Sequence, residues 1–432
     1  MTDKPDSLEI TSFPALISGL RDVFTVRNWR YVLPLALASV IVRGRKTVTN
    51  LVRACHIHRS YSGFHRFFSD YHWFEICLAR KALELIQRAF SPDQIDLVVD
   101  DTFCMKHRGH TDGICLWTKQ GPRGNLYFEG HTWVVIGLNL RVPESGRSLF
   151  FPLLTQMYIR EEEFEEPEDF RTRYQIAGSL IQALTDGHSI PVQVIADGNY
   201  ATRPFLQSLR VAGATFVGRL RKDARLYDPR SRISSNGRLA RHGPRLPILR
   251  YLFRGKSVQR LKLNVYGKPR TLFIREFLAY WPSVDGVVKA VAVKGLPKGP
   301  ALLFSTNTWL SAQEVIEIYA SRWKIEIGIR DAKQFMSFGK LHTRKKRAIT
   351  RQTNFLLVMQ SFVQLWYLKK YGDRLLIPQD PWYPAKTHPS YEDMLKTLRR
   401  ELVAELIHQL MSRFGRTANG RRAIIRRLKE AI

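Results

Sequence analysis

The sequence predicts an α/β protein in which a mixed-sheet core is interrupted by a β-rich insertion, with a helical region ahead of it and a basic helical region behind. Three observations carry this. Between residues 95 and 220, short apolar runs alternate with stretches of helical period. Over 221–299 that alternation stops, and three strand-like runs follow a Gly/Pro/Ser/Arg-rich opening. Both flanks place apolar residues at helical spacing. At 432 residues the chain is long enough for two to four modules, and 44% hydrophobic with 11% aromatic residues supplies a packed core.

Residues 1–90 read as a helical region. Periodic apolar positions run through Leu16–Val32 and Thr47–Cys55, while Arg43, Arg45, Lys46, Arg53, His56, His58, Arg59 and Arg66 are interleaved with Tyr61, Phe64, Phe67 and Phe68. Such a module either sets a helix into a DNA groove or buries its phenylalanines and solvates its charges. Residues 91–220 form the first part of the core. Ile95–Thr102 is a short apolar run closing on two acids, His131–Leu140 and Ser148–Leu154 are two more strands, and Phe170–Leu184 is helical. Val192–Ala196 is a strand ending at Asp197-Gly198, Arg203–Val211 a helix and Ala214–Leu220 a strand. Three strands, helix, strand, helix, strand is the order of an RNase H-like mixed sheet. The insertion, 221–299, carries strands at Val258–Val265, Arg270–Tyr280 and Gly286–Val293. The second part of the core, 300–372, holds a strand at Leu302–Ser305, one long helix from an N-cap at Ser311 to Phe335, and a helix near Ala348–Lys370. Residues 373–432 are the basic helical C-terminal region, ending RRAIIRRLKEAI.

Sixty-eight Lys and Arg against 38 Asp and Glu leave a formal net charge of +30, spread along the whole chain. Such a field concentrates polyanions and binds phosphate backbones, so nucleic acid is the expected partner. The longest apolar run, Tyr31–Val42, is about a dozen residues with Pro34 inside it, too short to span a bilayer. The start MTDKPDSLEI lacks the basic-then-apolar layout of a secretory signal, and four scattered cysteines read as reduced thiols; a cytoplasmic protein is expected. Cys104, His107, His110 and Cys115 would suit zinc by type, but their spacing matches no common finger, and a basic loop along DNA is the competing reading.

Chemistry concentrates at three places. Asp100 (or Asp101) and Asp197 stand at strand ends, where α/β sheets collect ligand-facing groups; each alone also reads as a turn or cap residue. In the helix after Ser311, Tyr319, Arg322, Glu326 and Lys333 lie at offsets of 0, 3, 7 and 14 residues, roughly 0°, −60°, −20° and −40° around the axis. A surface ion pair would account for Arg322 and Glu326 but not for Tyr319 and Lys333 on the same stripe. One face thus offers a carboxylate for a metal and two cations for phosphates.

That helix, Y-x2-R-x3-E-x6-K, resembles the signature helix of bacterial cut-and-paste insertion-sequence transposases of the DDE class. The surrounding LLFST, YASRWKIEIGIRDAKQF and GKLHTRKKRAITRQ, with VVDDT, VIADGNY and VGRLRKDARLY, extend the likeness over roughly 45–370. The resemblance implies an RNase H-like catalytic core with the insertion between the second Asp and the Glu; 129 residues separate Asp197 from Glu326. It implies Asp100, Asp197 and Glu326 as catalytic metal ligands for two Mg²⁺ ions, Mn²⁺ substituting, about 3.5–4 Å apart. Tyr319, Arg322, Lys333 and Lys106 are implied as DNA-binding residues, and double-stranded DNA and a homodimeric paired-end complex as partners. It favours Asp100 over Asp101, which strand alternation alone leaves open. An insertion tryptophan stacking on a flipped base is a further implied role, with Trp281 and Trp309 to hand and core packing the competing one. An RNase H-like nuclease or resolvase, and a non-catalytic DNA-binding descendant, are the rival readings.

Overall fold

The computed structural model describes residues 10–55, 61–106, 110–121, 124–230, 240–253, 257–376 and 386–414. His56, His58, Arg59, His107 and the tail from residue 415 lie outside them. The N-terminal region is helical: α1 (Phe13–Ser18), α2 (Val26–Ile41), α3 (Val48–Cys55), α4 (Tyr61–Ser69) and α5 (Glu75–Phe90). Phe64, Phe67 and Phe68 are all buried there, so α4 spends its aromatic face on the core. Lys46, read from the sequence as part of a basic DNA-facing surface, is buried as well. Its ammonium donates to the Val42 carbonyl, and burial first, then Arg399, lowers its pKa to about 7.

The chain then builds one mixed sheet with β1 (Ile95–Met105), β2 (Cys115–Gly121), β3 (Gly124–Arg141) and β4 (Ser148–Tyr158). After α6 (Arg173–Thr185) come β5 (Val192–Ile195), α7 (Arg203–Val211) and β6 (Thr215–Leu220). Next are β7 (Gln259–Val265), β8 (Lys268–Trp281), β9 (Gly286–Lys294) and β10 (Ala301–Ser305), and then α8 (Ala312–Ser321), α9 (Trp323–Phe335), α10 (Lys346–Tyr371) and α11 (Tyr391–Phe414). The strand order is β2-β3-β1-β5-β6-β10-β9-β8-β7, with β4 also on β3. β1 runs antiparallel to β3 and parallel to β5, and β5 parallel to β6. The three strands of 221–299 hydrogen-bond in succession onto β10 and so lengthen the core sheet.

Two expectations need correcting. The basic loop expected over Cys104–Cys115 has a strand at each end: β1 runs on past Thr102 to Met105 because β3 keeps pairing with it, and Cys115 opens β2, which forms a hairpin with the extended start of β3. The long helix from Ser311 is two. At Arg322 the ladder tightens to i→i+3 bonds (Arg322 N to Tyr319 O, Ile325 N to Arg322 O, both 3.1 Å), and α8 hands over to α9. The sheet explains the break. Val98, Ile195 and Val217 pair in one row and share one face; α9 packs on its β1–β4 side through Ile325 and Ile329, α8 on its β6–β10 side through Val315 and Ile316. A straight rod of that length would leave a twisted sheet at one end.

α10 runs buried through the middle, and several of its polar side chains find partners on other elements, while Thr353 Oγ1, Gln360 Oε1 and Gln364 Oε1 find none. Gln352 donates to Lys46 O, Asn354 pairs both ways with the Thr155 backbone, Ser361 donates to Pro152 O, and Arg351 to Tyr71 O and Trp73 O. Satisfied buried polar groups of this kind hold elements in one register. Among the described residues no helix is long and apolar enough to cross a membrane.

Candidate active site

β1 and β5 stop pairing at Val98 and Ile195. Asp100 and Asp197 each follow two residues later, so they stand at matching positions past the last pair shared by these parallel strands, Asp100 still within β1 against β3 and Asp197 just after β5, near the strand ends where ligand sites gather in open α/β sheets. Alternation sends Asp100 to the face of Val98, which α9 covers, and Asp101 to the face of Leu97 and Val99, which α6 covers. Asp101 accordingly pairs with Arg173 at the start of α6, and Asp100 with Arg322 across from it.

Glu326 enters from α9. Ile325, Ile329 and Ala332 seat that helix, burial of each isoleucine adding about 1.5–3 kcal/mol. Gly328 allows the close approach: a Cβ there would lie 2.3 Å from the Phe150 ring on β4. Arg322 joins two of the three acids, with nitrogens 2.9 Å from Asp100 Oδ2 and 2.7 Å from Glu326 Oε1. Asp197 is oriented within its own turn, its two oxygens accepting from Asn199 N (2.9 Å) and Asn199 Nδ2 (3.2 Å). Among the described residues no three His, Cys, Asp or Glu side chains converge as a ready-made metal cage; the cation shared by Asp100 and Glu326 is Arg322.

Arg322 lines one of two concavities here, and the two acids it bonds line the other. One of about 510 Å³ is lined by Asp100, Asp101, Thr102, Glu326 and Lys333. The other, about 850 Å³, is lined by Asp197, Arg219, Arg221, Lys222, Tyr266, Lys298, Tyr319, Arg322 and Trp323. Sequence reasoning missed Tyr266 and Trp323 as site residues. Tyr266 sits at φ 56° beside Gly267 at φ 76°, the left-handed pair of a two-residue β7–β8 hairpin turn, which aims its ring toward Trp323. The signal that marks it is a Tyr-Gly between two alternating runs. Trp281, one of the two tryptophans considered for base stacking, packs edge-on against Phe304 in the core at 7% exposure, which removes it from that role; Trp309 stands 93% exposed and lines neither cavity. Lys333 donates to Thr102 Oγ1 (2.8 Å) and Phe103 O (2.9 Å), and Lys106 to Leu341 O (2.8 Å), so both cations brace the continuation of β1. Cys104 and Cys115 are buried, and burial pushes the Cys104 thiol up to about 11.

Burial, partly offset by Arg322 and reinforced by Asp197, raises the Asp100 pKa from 3.8 to about 6. The folded protein therefore holds this proton more tightly than the unfolded chain. That penalty on the ionised form is absent below pH 4 and complete above pH 6, and corresponds to about 3 kcal/mol. In chelator, Asp100→Asn should thus stabilise the protein at pH 7, with the gain vanishing as pH falls toward 4. Urea unfolding at both pH values checks this; destabilisation at pH 7 would mean that the Arg322 pair outweighs burial.

A family model described as a transposase DDE domain matches residues 179–360, and one described as DDE superfamily endonuclease matches residues 20–265, more than half of the chain. Asp197 lies in both matches, Asp100 in the second and Glu326 in the first. No curated protein sequence matches the chain.

Proposed function

The chain belongs to the DDE superfamily of transposases and endonucleases, and from that premise we propose that it cuts transposon ends and joins them to target DNA, using Asp100, Asp197 and Glu326. The observation that carries this is the row of Asp100 and Asp197, each two residues past the last pair that two adjacent parallel strands share, with Glu326 linked to Asp100 through one arginine. The order β4-β3-β1-β5-β6, with β1 and β3 antiparallel and β1, β5 and β6 parallel, supports an RNase H-like core.

The three acids offer only carboxylate oxygens, the donor set of Mg²⁺ and of Mn²⁺ as its substitute. Burial, and to a lesser degree the nearby Asp197, disfavours the ionised form of Asp100, a penalty that an added cation would relieve, so the residues fit a divalent cation in kind, and these three would hold it. When bound, such a cation supplies Lewis acidity that activates water and stabilises the leaving oxygen. Arg322 is the side chain that has to move: with DNA in the cleft, its guanidinium exchanges the carboxylates for a phosphate, which it grips bidentately. Tyr319, on the wall beside Asp197, donates its hydroxyl to a neighbouring phosphate. Lys333 and Lys106 hold β1 straight beneath the backbone and add positive charge there. The larger cavity takes an unpaired nucleotide from the cut end, its base on Trp323 and Tyr266 and its phosphates among Arg219, Arg221 and Lys222. The net charge of +30 supports duplex DNA as the partner, and paired cleavage of two ends requires two copies of the chain.

Strand transfer separates this reading from a plain nuclease. With a duplex bearing the element's terminal repeat, Mg²⁺ and a supercoiled target, we expect 3′-hydroxyl ends covalently joined to the target. Cut ends without joined product would leave a nuclease, and binding without cutting a DNA-binding descendant.

A further inference from the structure

We propose that Asp101 is a positioning residue for DNA cleavage, acting through Arg173 and Tyr200 on the turn that presents Asp197; this rests on the three-carboxylate reading above. A second carboxylate directly after Asp100 adds repulsion to a site already rich in negative charge, and strand alternation turns it away from α9. Its surroundings on the α6 face account for its presence. One oxygen pairs with the Arg173 guanidinium; the other lies 3.5 Å from the Tyr200 hydroxyl.

Both partners are themselves fixed. Arg173 is the first residue of α6, whose start is locked by a capping box between Thr172 and Gln175. Tyr200 is 1% exposed, with Tyr174 and Phe205 edge-on to it at 5.5 and 5.3 Å. Its own backbone N–H donates to Asp197 O at 3.2 Å, three residues back, closing the turn whose head is the Asp197 carboxylate. The path from β1 to Asp197 therefore runs Asp101, Tyr200, Asp197, and Arg173 fixes its near end against α6. Asp100 and Asp197 belong to elements that stop pairing two residues earlier, so this bridge couples the two acids beyond the sheet's last shared hydrogen bonds. Carboxylates set one step behind a metal-holding group commonly govern its orientation, and their loss weakens metal binding or activity about 10–100-fold.

The test uses the full chain with Asp101→Asn, Arg173→Gln, their double variant and Tyr200→Phe. Single-turnover cleavage of the end duplex, duplex affinity, and Mn²⁺ binding followed by the free-Mn²⁺ resonance are measured on each. We expect Asp101→Asn to lower the cleavage rate and weaken Mn²⁺ binding about 10–100-fold, with duplex affinity unchanged. The double variant should be no worse than the poorer single one, because both remove the same link. Tyr200→Phe, which removes one hydroxyl, should lose less in the same direction, and it decides the matter if Asp101→Asn does not fold. Losses of the two single variants that multiply would show Asp101 acting directly, as a ligand, and overturn the assignment. A wild-type rate and Mn²⁺ affinity in Asp101→Asn, alongside an inactive Asp100→Asn, would also overturn it while leaving the three-carboxylate reading intact. An active Asp100→Asn would remove that reading, and this inference with it.

Discussion

Glu326→Gln is expected to lower nicking of an end duplex in Mg²⁺ by at least about 10³-fold, as losses of essential active-site groups do, while the protein still folds and binds the duplex. Gln matches Glu in shape and keeps an oxygen where Glu326 Oε1 now accepts from Arg322 at 2.7 Å, so the hydrogen bond survives and only the charge is lost. The helix is held by Ile325, Ile329 and Ala332, not by Glu326, whose side chain is about a third exposed. Stability should therefore change little, which makes the activity loss a statement about chemistry. Nicking is scored on a labelled duplex by the release of a 3′-hydroxyl strand, and binding by gel shift. If Glu326→Gln nicks at the wild-type rate, Glu326 is outside the reacting centre, and the ion pair with Arg322 is only a local feature of α9.

The largest effect on stability is expected at Arg351, far from this chemistry. Its side chain is 2% exposed on α10, and its guanidinium donates to Tyr71 O at 2.6 Å and Trp73 O at 2.5 Å, lies 5.0 Å from the Trp73 ring and faces Glu75. Arg351→Met fills similar volume but leaves two carbonyls and a half-buried carboxylate without their donor. Removing one side of a buried ionic contact costs about 3–5 kcal/mol, a large share of the 5–15 kcal/mol that holds a typical domain together. Urea unfolding followed by tryptophan fluorescence measures it, Trp73 being a direct reporter. A loss under about 1 kcal/mol would show that water replaces the guanidinium. Because Arg351 ties the segment between α4 and α5 to α10, the N-terminal helices should loosen first, visible as faster amide exchange there.

Much of this molecule is written in local pattern. Apolar runs of five to eight residues and helices with a 3.6-residue period survive in any tertiary setting, so β5, α7, β9 and α10 lie within about two residues of where the sequence puts them. The chemistry of the residues is equally local: acids after apolar runs, and Tyr, Arg, Glu and Lys at helical spacing. What escaped the sequence depends on partners far away in the chain. The hairpin of β2 and β3 exists because β3 runs on beyond the core, and the break at Arg322 because two helical segments must follow one twisted sheet. Neither Lys46 nor Arg351 differs in type from the many solvated cations of this chain, and only packing shows them buried.

Most of the order of elements, the basic character, and an acid at 100 or 101, Asp197, Glu326, Arg322, Tyr319 and Lys333 as the residues to watch thus came from the sequence alone, since each depends on residue type and spacing. That Asp100 meets Arg322 and Asp101 meets Arg173, that the strands of 221–299 extend the core sheet, that Arg322 stands between two acids, and that Tyr266 and Trp323 rather than Trp281 line the cavity were decided by tertiary structure. A strand's alternation fixes that neighbouring side chains point apart, but only the helices laid over each face say which partner each acid meets.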